Sequence, residues 1–239
     1  MIFPAFSMRT VFAFAALSLF SFKGLAQTGE TPAQAAARKP SRDFVMLQFT
    51  YDGWANTPDS VKVGGFSRGF NAYLCYDFPI KQSHFSFATG VGIGTSSMFF
   101  RDGQQLVLTD SGQKTALFVP ERHDYSKFKL TTAYAEAPFE LRYFANKENR
   151  NRGFKAAVGM RIGYLLAAHT KGNRTENGSK LTEKVQSKEF LDKWRYGATL
   201  RLGWGNFSAF GAYNFNSPFQ DGVGPSVTPY SIGICLTGL

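Results

Sequence analysis

The sequence predicts an all-β fold, an eight-stranded antiparallel up-and-down transmembrane β-barrel. Three observations carry the prediction. Eight segments alternate apolar and polar residues with the two-residue period of an extended strand, and none follows the 3.6-residue period of a helix. The connections between them alternate between long and short, so one rim carries loops and the other carries turns. Aromatic residues recur ten positions apart on one face, Phe154 with Tyr164 and Trp194 with Trp204. At ~3.3 Å per residue and a tilt near ~40°, that interval is about 25 Å, the height of the apolar band of a barrel in lipid.

The chain opens with an export signal. Arg9 supplies a positive charge, Val11 to Phe22 form an apolar run, and Gly24-Leu25-Ala26 place small residues where a signal peptidase reads. Residues 1–26 are therefore expected to be a signal peptide cleaved after Ala26, because an apolar run of this length is too short to span a bilayer. No Cys follows the run, so a lipoprotein signal is not expected. Residues 27–42, QTGETPAQAAARKPSR, are small, polar and interrupted by proline, and read as a flexible periplasmic linker. Residues 43–239 are left for one barrel domain.

Each strand follows from its own pattern. FVMLQFTYDG (44–53) and GFNAYLCYDF (69–78) come first; in the second, Phe70, Ala72, Leu74, Tyr76 and Phe78 oppose Asn71, Tyr73, Cys75 and Asp77. HFSFATGVGIGT (84–95) sets Phe85, Phe87, Val91 and Ile93 against Ser86, Ala88 and three glycines. KLTTAYAEAPFELRYF (129–144) and FKAAVGMRIGYLLA (154–167) follow, then KWRYGATLRLGWG (193–205), NFSAFGAYNF (206–215) and PYSIGICLTGL (229–239). Residues 54–65, 101–127, 168–192 and 216–227 are expected to be long loops. Residues 79–83 and 145–152 and the Gly205-Asn206 pair are expected to be short turns joining antiparallel neighbours.

Alternation alone does not say which face is wet. A soluble lipocalin-type barrel would bury the apolar side. The paired aromatic bands argue for lipid on that side instead. So does the other face, where Gly90, Gly92, Gly94, Gly159, Gly163, Gly197 and Gly203 are mixed with a few long charges. Small residues make room in a lumen of eight strands, which is only wide enough to be filled by side chains. The sequence offers no helix candidate to close a lipocalin mouth. The aromatic girdle is thus expected at Phe154, Tyr164, Trp194, Trp204 and Tyr213, facing lipid.

The lumen is expected to hold Glu136, Glu140, Arg142, Lys155, Arg161, Arg195 and Arg201. Buried charges need partners, so a carboxylate–guanidinium network plugging the barrel is predicted, with Glu136 close to Arg161. Either it fills space or it acts as a selectivity or gating element; a wide pore is not expected at eight strands.

Formal charge is +10, about +8 once Arg9 and Lys23 leave with the signal, which favours anionic headgroups. Loop 168–192 adds Lys171, Arg174, Lys180, Lys184 and Lys188 against Glu176, Glu183 and Glu189, and is either a solvated face or a contact for lipopolysaccharide phosphates. The expected partners are outer-membrane lipid and lipopolysaccharide, with other envelope or secretion proteins as a further class. Nucleic acid is not expected of an exported chain with no such motif.

No catalytic, cofactor or metal site is expected. The histidines are His84, His123 and His169; His169 with Glu176 and Ser179 would make a hydrolase or acyltransferase set, but nothing in their spacing requires it. GVGIG is one strand face, since no Gly-Lys-Ser/Thr follows. The sequons at Asn173 and Asn177 are chance-level patterns. Cys75 and Cys235 are expected on the lumen face on strands separated by the first one, roughly 9–10 Å apart and beyond disulfide reach.

YAEAPFELRYF (134–144) resembles the Y-x-E-x-P-x-x-x-x-Y strand of the PorT-like outer-membrane β-barrel family. GMRIGYLLAAHTKG (159–172) is similar to its G-x-x-x-G-Y-L-L segment, and RYGATLRLGWG (195–205) with Tyr213 to its late hairpin. Ala135 and Ala137 replace the bulkier apolar residues usual beside the Glu. The resemblance implies an eight-stranded barrel in the outer membrane; the named member takes part in protein export. The resulting reading is a non-enzymatic barrel with a plugged lumen and binding loops, with a secretion accessory, a lipid-modifying enzyme and a narrow channel as rivals.

Overall fold

The computed structural model describes residues 45–238, except 82, 102–103, 111–113, 121–124, 148 and 177–178. The expected signal peptide, the linker and His123 lie outside the described residues. The strands are β1 (Val45–Ala55), β2 (Arg68–Pro79), β3 (Phe85–Phe100), β4 (Gln104–Asp110), β5 (Lys114–Pro120), β6 (Tyr125–Phe144), β7 (Phe154–Glu176), β8 (Ser179–Gln186), β9 (Trp194–Trp204), β10 (Phe207–Asn214) and β11 (Thr228–Thr237). No helix occurs among the described residues.

Eight of these close the barrel in the order β1-β2-β3-β6-β7-β9-β10-β11, every pair antiparallel. β1 seals it, since Phe49 stands opposite Phe70 of β2 on one side and Ile234 of β11 on the other. Closure leaves no barrel edge unpaired, which a wall in hydrocarbon requires. The β9–β10 connection is the tight turn expected: Trp204 faces Phe207 across Gly205 and Asn206, and Gly205 has φ +60°, a conformation that favours glycine.

The side chains are sorted inside out. On β9, Trp194, Leu200, Leu202 and Trp204 are 48–70% exposed, whereas Arg201 is 3% exposed. Phe49, Leu74, Val91, Val158, Met160, Ile232 and Ile234 continue that exposed apolar surface around the wall. A band of this extent is far larger than the apolar patches of soluble monomers.

Two expected loops are partly strand. Segment 101–127 contains the β4–β5 hairpin and the start of β6, and segment 168–192 contains the end of β7 paired with β8. The second escaped the alternation because β8 buries neither face: Leu181 to Gln186 are all exposed. A strand wet on both sides carries no apolar period. β3 likewise runs to Phe100, beyond the expected stop at residue 95.

A bulge in β7 resets its faces. Tyr134 of β6 pairs with Leu165, but Ala133 pairs with Ala167, so Leu166 is the extra residue. Below it Arg161, Gly163 and Leu165 point inward; above it Ala168 and Thr170 do, and His169 turns outward.

Candidate functional site

The lumen carries the candidate site, and it has two layers. The layer nearer the short turns is charged. Arg201 donates to Glu140 through Nε to Oε1 at 3.1 Å and Nη2 to Oε2 at 2.7 Å. Glu140 Oε2 also accepts from Arg142 Nε at 2.8 Å. Arg142 Nη1 reaches Asp77 Oδ1 at 2.9 Å, and Arg150 Nη1 reaches Asp77 Oδ2 at 3.0 Å. Arg201, Glu140, Arg142, Asp77 and Arg150 thus form one alternating chain from β9 across β6 to β2 and the turn after β6.

Glu136 forms a second node further up. Its Oε1 accepts from Arg195 Nε at 2.9 Å and from Arg195 Nη2. Its Oε2 accepts from the Tyr73 hydroxyl at 2.6 Å. Arg195 also lies over the Tyr134 ring, 4.1 Å from its centroid. Arg161 stays within electrostatic reach of Glu136, but the hydrogen-bonded partner is Arg195, for a reason of register. Gly163 is the residue of β7 directly opposite Glu136, and Arg195 of β9 is directly opposite Gly163. With no side chain between them, Glu136 and Arg195 meet across an intervening strand. A Cβ on Gly163 would lie 3.1 Å from Glu136 Cγ, and one on Gly94 would lie 2.9 Å from Arg195 Nη2. Arg161 turns to β10 instead and donates to Asn214 Oδ1 at 3.0 Å. Lys155 donates to the Thr237 hydroxyl.

The upper layer is apolar. Trp54 sits at its centre, with ring centroids 5.7 Å from Phe100, 6.2 Å from Phe118 and 5.8 Å from Phe219. Strand residues Met98, Leu130 and Leu165 and loop residues Val61, Phe190 and Leu191 complete the cluster. The β4–β5 hairpin is tied to the last loop by Ala116 N–H donating to Val223 O at 2.7 Å. Between the layers lies a cavity of about 30 Å³ bordered by Trp54, Tyr134, Arg195 and Asn214, about the volume of one water.

On the outside, Phe154 pairs with Trp204 on one rung and Tyr164 with Trp194 on another, ten residues along both strands. The Tyr164 and Trp194 rings are 5.2 Å apart. All four are exposed, as is Tyr213, which lies opposite Ala198.

Sequence reasoning missed Tyr73, Asp77, Arg150 and Asn214 as network members. Tyr73 and Asp77 were legible as inward residues of β2, but Arg150 comes from a turn, where no periodicity assigns a face. The three residues that could make a hydrolase set are not assembled. His169 pairs with Gln186 and Glu176 with Ser179, seven rungs along the hairpin, about 23 Å at strand rise. His84 donates from Nδ1 to Phe144 O at 2.7 Å. Among the described residues no cluster of three or more His, Cys, Asp or Glu could hold a metal. Cys75 and Cys235 are free and buried, and Arg201 Nη1 lies 3.8 Å from Cys235 Sγ.

Outward-facing groups above the girdle feel one another's charge. The Lys129 amine is pushed below its ordinary value by burial, then by Lys171 and Arg68. The His169 imidazole is lowered by burial, then by Lys184, Lys129 and Lys171.

The profile of the outer membrane protein beta-barrel domain family matches residues 37–220. The match is to the general family. No curated protein matches the chain. Among solved structures, Ail, the attachment invasion locus protein of Yersinia pestis, aligns at 17% identity over 81% of this chain and 96% of that chain, with a TM-score of 0.37. The same protein in complex with the heparin analogue sucrose octasulfate aligns at 14% identity over 81% and 96%, with a TM-score of 0.33.

Proposed function

The chain belongs to the outer membrane protein beta-barrel domain family, and from that premise we propose that it is a non-enzymatic, non-conducting barrel whose extracellular hairpins and outer wall carry its binding. The observation that carries the reading is the filled lumen. An ion has to pass the chain from Arg201 to Arg150 and then a cluster centred on Trp54. Eight strands leave an interior that side chains can fill, and here both layers fill it. A permanently charged chain and an aromatic cluster in series are expected to block a wetted path. Separation of His169 from Glu176 and Ser179 supports the non-enzymatic part.

Planar-bilayer recording tests the proposal. Purified protein is expected to give no unitary current above background, and a stable conductance step would reject it. Export through the leader is part of the same reading. The protein from envelope fractions is then expected to begin at Gln27, after cleavage behind Ala26.

A further inference from the structure

The outer wall, rather than the lumen, holds an open concavity of ligand size. A groove of about 530 Å³ runs up the outward face of β11, β1 and β2 toward the extracellular rim. That is within the range of small-molecule sites. Phe49, Phe70 and Ile234 line its lower part; Tyr51, Phe66 and Arg68 line the upper part. The Phe49 and Phe70 ring centroids are 5.1 Å apart and those of Tyr51 and Phe66 are 5.9 Å apart, each pair tilted, so the walls are built of packed rings. The wall stays low beyond Ile232, because Gly211 lies opposite it and a Cβ there would meet nothing within 4 Å.

Cations crown this groove. Arg68 stands opposite Tyr51 at its upper end. The Arg68 guanidinium and the Lys129 amine approach the same ring, Phe99, at 5.9 and 5.5 Å. Lys171 and Lys184 follow Lys129 on one rung across β7 and β8. Among the described residues, no acidic side chain shares the outward face of β1, β2, β3 or β6; Asp52, Asp77, Glu136 and Glu140 are all buried in the lumen. The Lys129 amine is lowered first by burial and then by the like charges of Lys171 and Arg68.

We infer that this groove and row bind a phosphorylated, multiply acylated glycolipid of the outer leaflet, with an acyl chain along Phe49, Phe70 and Ile232 and phosphates on Arg68, Lys129 and Lys171. The inference rests on the membrane orientation and extends the proposed binding role to a defined ligand class. Aromatic walls and outward apolar exposure fit a hydrocarbon chain. Guanidinium and ammonium groups fit phosphate oxygens. Arg68 and Lys171 are three strand spacings apart, roughly 14 Å at the usual spacing. That span exceeds a single phosphate and selects a headgroup carrying two.

The test uses protein purified from the outer membrane and delipidated in mild detergent. Binding is read by native mass spectrometry with four probes: bisphosphoryl hexa-acyl lipid A, its monophosphoryl form, dioleoylphosphatidylglycerol and inorganic phosphate. The bisphosphoryl lipid is expected to bind at least tenfold more tightly than phosphatidylglycerol. Arg68→Ala with Lys129→Ala should erase that preference, and Phe66→Ala should weaken binding severalfold. Arg68 and Phe66 are exposed and Lys129 is half-buried, and unboiled gel mobility reports whether each variant still folds. Equal binding of phosphatidylglycerol and the bisphosphoryl lipid, equal binding of the bisphosphoryl and monophosphoryl lipids, competition by inorganic phosphate alone, or an unaffected double variant overturns the site while leaving the barrel intact. Wild-type protein without heat-modifiable mobility overturns the orientation, and the site with it.

Discussion

Arg201 reaches Glu140 from a strand two places away, closing two hydrogen bonds over Gly159 and Ala157 of the strand between them. The small residues on β7 are what allow it. The same device joins Arg195 to Glu136 over Gly163. Charge and absence of a side chain are therefore one structural unit in this lumen, and each prediction about the interior depends on it.

Glu140→Ala removes the shared acceptor of Arg142 and Arg201 and leaves two buried guanidiniums short of a carboxylate. Breaking a buried pair in this way costs about 3–5 kcal/mol. The expected result is a lower unfolding midpoint in urea, read by gel mobility in detergent or lipid. Glu140→Gln keeps two polar atoms and should lose clearly less. Equal midpoints for Glu140→Ala and wild type would show that the chain contributes nothing to stability.

Trp54→Ala should loosen the extracellular cap while sparing the barrel. Removing a buried aromatic of this size costs about 3–5 kcal/mol. Because Trp54 touches Phe100, Phe118 and Phe219 together, the loss is expected to appear as new protease cleavage in segments 101–127 and 216–227 on intact cells. The heat-modifiable mobility of the barrel should persist.

Cys75 and Cys235 should remain thiols throughout. Both are buried on the lumen face, and β1 stands between their strands. A maleimide reagent is expected to label neither in the folded protein and both after denaturation without reductant. Failure to label after denaturation would mean that the two are joined.

His169 should titrate below the ordinary imidazole value of 6.5, since burial and then Lys184, Lys129 and Lys171 disfavour its charged form. The sign follows from linkage. Just below pH 6.5 the unfolded hairpin binds more protons than the folded one, so its stability is full above that pH and is lost as pH falls toward the folded value. NMR of the His169 ring should show the low midpoint, rising with salt as the lysines are screened. A midpoint at or above 6.5 at low salt would contradict the arrangement of the four side chains.

What could be read from the sequence was what has a period. Trp194, Leu200 and Leu202 against Arg195 and Arg201 gave both the strand and its two faces, and eight such segments gave the closed barrel. What could not be read lacked either a period or a side. β8 is wet on both faces, so Leu181 and Val185 looked like loop. Leu166 interrupts β7 with one extra residue, and an inward reading of His169 by simple alternation fails there. The Glu136 partner depended on register: counting from the turn suggested Arg161, whereas the bulge-free pairing sets Gly163 opposite and delivers Arg195. Trp54, Phe118 and Phe219 lie 64 and then 101 residues apart along the chain, and only the closed barrel brings them together.

The central claim is that hydrocarbon touches the tryptophan-bearing face of β9. Single-tryptophan proteins retaining Trp54, Trp194 or Trp204, reconstituted with lipids brominated near the top of the acyl chains, test it directly. Trp194 and Trp204 fluorescence is expected to be strongly quenched by the brominated chains, with Trp54 spared inside the cap. Quenching of Trp194 and Trp204 by aqueous iodide, with no effect of brominated lipid, would contradict the account.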